Sequence, residues 1–247
     1  MLKDFSKLEK FPKTRERLPS AFEAIYDQHY KENRDGGSKA SGLAQNLEKW
    51  MHEKVSSDPA KGQRILEIGA GTLNHVKYQK DAFLYDVIEP YKLLYLASNE
   101  KDKVNKFYSD ISEINEAESY DRIISIATFE HILDLPKVVA KSVLLLREGG
   151  QLKIAIPSEG SLLWYMGWKF TTGIEFYIRH RLNYSTLMKY EHVNTWKDVN
   201  DVLQVFFGKV ECESLGVSQA LSFYQYYNCS DPQIDTANNY LEKYNYD

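Results

Sequence analysis

Five short apolar runs, ILEIGA, FLYDVIE, KFYSDI, DRIISIA and QLKIAIP, lie between residues 65 and 157, with polar or helical segments between them. Runs this short and this apolar read as strands buried on both faces of a sheet. Strands alternating with helices argue an α/β chain with a parallel sheet and right-handed crossovers. LPKVVAKSVLLLREGG is the clearest helix, with Val138, Val139, Val143, Leu144 and Leu146 expected inside and Gly149-Gly150 expected to stop it.

The first run continues as ILEIGAGTLNHV, where Glu67 precedes Gly69 and Gly71. A strand turning sharply into a helix needs such glycines, and their missing Cβ atoms let backbone N–H groups meet a ligand at the helix N-terminus. The second run ends in Glu89, an acid placed to grip a ribose, whereas Asp86 sits inside that run. The pair predicts a nucleoside-type cofactor. A dinucleotide fingerprint wants a third small residue where this chain has Asn74, which disfavours a nicotinamide oxidoreductase.

From about residue 61 to 159 the chain resembles class I S-adenosylmethionine-dependent methyltransferases of the small-molecule type. Three anchors carry the resemblance: the glycine loop, YSDISEI, and the block from SYDRIISIATFEHIL to GGQLKIAIPSE. It implies a Rossmann-like, doubly wound, mostly parallel seven-stranded sheet, whose antiparallel last strand slots between the fifth and sixth. It implies S-adenosylmethionine as cofactor. Carried over residue by residue, Glu67, Gly69 and Gly71 hold the methionine moiety, Glu89 accepts from the ribose hydroxyls, and Asp110 with Ile111 meets the adenine. Ala127 and Thr128 complete the site at the end of strand four.

Around this block the expected organisation is an N-terminal helical cap over 1–60 and a methyltransferase domain over 61–247. A helical insertion, 161–195, follows strand five on the substrate side. In the cap, Phe22, Ile25, Tyr26 and Tyr30 keep near-helical spacing, RDGGSKASG reads as a turn, and Leu43, Leu47, Trp50 and Met51 share a side of a second helix. That second helix is expected to pack on the sheet edge. The insertion is aromatic and locally basic, with Lys169, Arg179, Arg181 and Lys189. Thr195 is an expected N-cap. GKVECESLG and LSFYQYYNCS are expected closing strands, carrying Cys212 and Cys229 as reduced thiols, and the tail is expected to be a loose helix.

The net charge of −4 does not advertise nucleic-acid binding, so no DNA partner is expected. No signal-peptide core and no run of about eighteen apolar residues is present, so a cytoplasmic chain without a transmembrane segment is expected. A homo-oligomer is compatible with all of this.

Methyl transfer from a sulfonium is a displacement on an already activated carbon, so alignment comes first and a base matters for a hydroxyl acceptor. Among six histidines, His131 follows strand four where a base sits in related enzymes, and His192 resembles a histidine before their last helix. Both are expected catalytic residues. Quinone O-methyltransferases carry Glu-x-x-Glu-His at this point, resembling a divalent-ion site. Here the first Glu is replaced by Ala127, so no metal is expected. The expected reaction is methylation of a small or medium-sized acceptor, at oxygen more than nitrogen, with an anionic or sugar-containing molecule such as a polysaccharide precursor in view. The alternatives are a non-catalytic interaction protein on the same fold, which fold alone does not exclude, or an RNA or protein methyltransferase.

Overall fold

Successive strand residues face opposite sides of a sheet. In β1 (Arg64–Ile68), Leu66 and Ile68 join one hydrophobic cluster and Ile65 another. β2 (Leu84–Ile88) divides Ile88 from Tyr85 and Val87, and β4 (Tyr120–Ile126) divides Ile123 from Ile124. A sheet apolar on both faces has to be covered on both. The computed structural model, which describes residues 5–23, 25, 42–58, 60–79, 81–82, 84–115 and 117–246, shows how. One face carries α3 (Leu135–Leu145), α7 (Trp196–Phe206) and α8 (Ile234–Lys243). The other carries α1 (Gly42–Val55) through Met51 and Val55.

With β3 (Lys106–Tyr108), β5 (Leu146–Pro157), β6 (Phe207–Ser218) and β7 (Leu221–Pro232), the strands form one seven-stranded sheet of order β3-β2-β1-β4-β5-β7-β6. β1 to β5 pair in parallel, and β7 runs antiparallel between β5 and β6. This is the expected Rossmann-like α/β arrangement. The reversal between β1 and β4 opens the switch point where such sheets bind ligands.

Several local expectations shift. The segment after Gly71 is a run of turns ending in a 3-10 helix, Val76–Tyr78, and not an α-helix, because Leu73 takes a left-handed φ of 67° that breaks helical continuity. α3 ends at Leu145, and Gly149-Gly150 lie within β5. β2 and β3 are joined through one short α-helix, α2 (Lys92–Leu96), and a 3-10 turn, Lys101–Lys103. The tail is firmer than expected: α8 buries Ala237, Tyr240 and Leu241 in the main core. Thr195 caps α7 in a reciprocal box with Asp198, as expected. Both cysteines are free thiols. The side chains of Tyr26, Tyr30 and Leu43, and the Gly/Ser-rich turn, lie outside the described residues. α1 packs across the sheet face over β4, β5 and β7, which are interior strands, and not on the expected sheet edge.

After β5 come α4 (Leu162–Phe170), α5 (Thr172–His180) and α6 (Ser185–Glu191), the helical insertion. Phe176 and Leu187 pack on Leu18 and Phe22 of the N-terminal segment. That segment crosses the loop after β4, where Arg15 donates to the His131 carbonyl at 3.0 Å. Among the described residues no helix is long and apolar enough to cross a membrane.

Candidate active site

The two glycines of the loop are needed for different reasons. Both have positive φ, +75° at Gly69 and +52° at Gly71. A Cβ on Gly69 would stand 2.2 Å from Thr128 Oγ1, so this glycine lets the ends of β1 and β4 close together. A Cβ on Gly71 would meet nothing within 4 Å. Space there is left beside a backbone amide, as a ligand cradle requires. Ala127, immediately after β4, is also left-handed at φ 49°, a conformation that costs an alanine energy.

Glu89 follows β2 and is almost wholly buried. One carboxylate oxygen accepts from Gly71 N at 2.8 Å and the other from Tyr91 N at 2.9 Å. The acid at the end of β2 is thereby tied to the loop that follows its neighbour β1. Glu67 lies beneath, bonded by the Tyr85 hydroxyl at 2.7 Å. Burial pushes its pKa up to about 8, against the opposing Tyr85 hydrogen bond and with help from the Glu89 charge. Asp110 sits two residues past β3 and accepts from Ser112 N at 2.9 Å. Burial opposes its ionisation, but the Ser112 hydrogen bonds and the charges of Lys137 and Lys141 outweigh it and lower its pKa. The Ile111 side chain belongs to the main core, so its backbone is what it offers a ligand. Asp86 is fully buried in a network with Arg64, Tyr120 and Asn105, a structural role.

The second half of the site surrounds the loop after β4. His131 and His192 meet edge to face, with ring centroids 4.9 Å apart. Nδ1 of His131 donates to the Glu191 carbonyl at 2.9 Å. Nδ1 of His192 donates to Glu159 at 2.9 Å. In each ring, Nε2 then carries the lone pair. Burial disfavours charge on His192, yet the Glu159 hydrogen bond and the charges of Glu130, Glu159 and Glu191 prevail and raise its pKa. Burial raises Glu130 to about 7, with His192 pulling it back. Asn194 pins the assembly: its Nδ2 donates to the Phe129 and Ile132 carbonyls, and its amide donates to Glu130 O. Trp164 stacks on His192, and Tyr224 meets it edge-on.

Sequence reasoning named both histidines but passed over Glu159, Glu191 and Asn194. The signal was present in IPSEGSLLW and YEHVN, but nothing local links those strings. Of the other histidines, His29 lies outside the described residues, His52 and His75 pair with each other at 2.9 Å, and His180 packs on Phe176. Glu130, His131 and His192 each place a donor atom within 4.8 Å of the others, close enough for a divalent ion to draw together. A surface recess between α3 and α8, lined by Lys141, Leu144 and Leu241 among others, lies away from the strand ends.

Residues 37–198 match a family model described as a methyltransferase domain. The chain belongs to this methyltransferase family. It is an S-adenosylmethionine-dependent enzyme on the Rossmann-like fold of class I members. A methyltransferase from Thermotoga maritima, described as a possible histamine N-methyltransferase, is 13% identical with a TM-score of 0.57, over 85% of this chain and 97% of its own. The N-methyltransferase NodS from Bradyrhizobium japonicum, solved with S-adenosylhomocysteine, is 14% identical with a TM-score of 0.54, over 78% and 90%. The plantazolicin methyltransferase BpumL, also solved with S-adenosylhomocysteine, is 13% identical with a TM-score of 0.55, over 85% and 93%. At these identities the likeness is one of fold. No curated protein sequence matches the chain.

Proposed function

We propose that this methyltransferase alkylates a hydroxyl of a small polyhydroxylated acceptor, such as a sugar or sugar-containing precursor, with His192 as proton acceptor. The observation that carries this reading is the Glu159–His192 hydrogen bond with Trp164 stacked on the same imidazole. A hydroxyl stays protonated at neutral pH, so its attack gains from a positioned base. A carboxylate behind an imidazole holds the tautomer and stabilises the imidazolium that forms. Carboxyl groups at Glu130, Glu159 and Glu191 suit hydroxyl donors and repel an anion, so the anionic acceptor expected from the insertion's basic residues is disfavoured. The Trp164 indole supplies a flat apolar face for a ring. His131 positions the acceptor beside His192.

S-adenosylmethionine supplies a methyl group already activated on a sulfonium, which leaves alignment to the protein. The residues fit it. Gly71 leaves open space beside the loop, and Glu89, which orders that loop by accepting from Gly71 N and Tyr91 N, accepts one hydrogen bond at each oxygen. Glu67, Gly69 and Gly71 would border the methionine moiety, Glu89 the ribose, and Asp110 with the Ile111 backbone the adenine. Ala127 and Thr128 would face the reacting centre.

The test has two arms. Glu89→Ala should lose about 1.5–3 kcal/mol of cofactor affinity by calorimetry, the worth of a hydrogen bond to a charged group. His192→Ala should keep that affinity while turnover on a sugar hydroxyl falls about 10²–10⁴-fold. Unchanged turnover would remove His192 from the chemistry. A second reading, an amine acceptor, draws on the same three carboxyl groups and on fold neighbours described as N-methyltransferases. It predicts only a small His192→Ala effect with an amine that reacts as the free base.

A further inference from the structure

α4 and α5 carry apolar stripes on the outside of the molecule. In α4 the exposed positions are Leu162, Tyr165, Met166, Lys169 and Phe170, spaced i, i+3, i+4, i+7 and i+8. In α5, Ile174, Tyr177 and Ile178, followed by Arg181, repeat i, i+3, i+4 and i+7. Both sets follow the spacing of a single helix face. The inward faces are already in use. Trp164 bonds Glu159, Trp168 meets Tyr184, and Phe176 stacks on Phe22. These helices therefore bury one apolar face in the protein and leave another in water, with Phe170 61% and Ile178 64% exposed.

The exposure is concentrated. Nine of the thirteen exposed large hydrophobic residues among the described ones lie on α4, α5 and the adjoining β6–β7 turn, which adds Val217 and Leu221. That turn touches α4 where the Leu162 amide donates to Ala220 O. Scattered single apolar residues need no explanation, but nine gathered on two successive helices and the turn bonded to the first do.

The charge on this face runs against that of the chain. Across 162–181 Lys169, Arg179 and Arg181 face the single acid Glu175, while the whole chain is at −4. The cations are interleaved with the rings. Lys169 Nζ bonds the Tyr165 hydroxyl and lies 4.9 Å from its ring centre, and the Arg181 guanidinium lies 5.8 Å from that of Tyr177. Aliphatic and aromatic side chains on a helix face, rimmed by Lys and Arg, are the composition of helices that lie in a headgroup boundary.

We infer that the α4–α5 face docks on an anionic phospholipid surface, with Leu162, Met166, Phe170 and Ile178 entering the boundary and Lys169 and Arg181 meeting phosphates. This goes beyond methyl transfer and does not depend on the identity of the acceptor. Because Trp164 on the inner side of α4 reaches the histidine pair, docking would set the site beside the membrane.

The experiment is sedimentation of the full chain with vesicles of phosphatidylglycerol and phosphatidylcholine, against vesicles of phosphatidylcholine alone. Binding to the anionic vesicles is expected, at least about fivefold weaker on the neutral ones and weakened by added salt. Phe170→Asp with Ile178→Asp should lower it by about tenfold or more, while circular dichroism and S-adenosylmethionine affinity stay unchanged. No binding to either vesicle, or equal binding to both, would overturn the proposal. So would a wild-type dimer that the same double substitution dissociates, since the face would then belong to a second copy. Cofactor affinity and vesicle binding are read separately, so failure of one leaves the other standing.

Discussion

Glu159 Oε2 accepts from His192 Nδ1 at 2.9 Å and from the Trp164 indole N–H at 2.8 Å. One oxygen at the end of β5 thus orients both an imidazole and the ring stacked on it. Glu159 and Trp164 share one stretch and His192 lies 33 residues beyond Glu159, which explains why the arrangement escapes a local reading.

The first expectation concerns pH. A general base has to be neutral, and His192 is held above the ordinary imidazole value of 6.5 by its carboxylate neighbours. Turnover should therefore rise with pH along a limb centred above 6.5. In Glu159→Gln the hydrogen-bonded charge is gone, so that limb should move to lower pH as kcat falls. A pH–rate profile of both proteins decides it, and coincident limbs would detach Glu159 from the base.

A buried acid links pH to stability. Glu67 ionises near 4.5 when exposed and near 8 in the fold. Between those values the folded state holds the proton more tightly, so stability falls as pH rises from about 4.5 to about 8 and then levels. Glu67→Gln should remove most of that slope and gain up to a few kcal/mol over wild type above pH 8. Glu130, raised to about 7, should leave a residual slope of the same sign. Denaturant midpoints across this range measure both, and parallel curves for the two proteins would contradict the Glu67 shift.

The loop glycines should separate in mutagenesis. Gly69→Ala forces a methyl into Thr128, and both β1–β4 closure and thermal stability should suffer. Gly71→Ala meets only its own left-handed backbone, at about 1–2 kcal/mol, and should keep the fold while cofactor binding drops. Melting temperature and calorimetry on the pair test this. Equal melting temperatures would mean Thr128 yields freely.

Chelation distinguishes two uses of the histidine pair. With His192 Nε2 as proton acceptor, dialysis against EDTA should leave turnover unchanged, and added Zn²⁺ should inhibit by occupying Glu130, His131 and His192. Loss of activity on chelation, restored by a divalent ion, would make those residues ligands.

The basic insertion reads differently in three dimensions. Arg179 and Arg181 are exposed at the end of α5, while the carboxyl groups of Glu130, Glu159 and Glu191 surround the histidines. Helical spacing alone could not say which face of α4 would be covered, because both carry aromatic residues.

The continuous apolar runs of β1, β2 and β4, the positive-φ glycines and the acid ending β2 are properties of a few neighbouring residues, so the sheet and the glycine turn were legible in the amino-acid string. The helix expected after Gly71 was not, because the left-handed turn at Leu73 leaves no mark in composition. Nor could any local pattern bring Glu159, His192 and Trp164 to His131. Chain order determined the strands and the glycine loop through local sterics and short apolar runs. The histidine cluster with Glu159 and Trp164 was decided only by tertiary packing, which brought distant loops within hydrogen-bonding range.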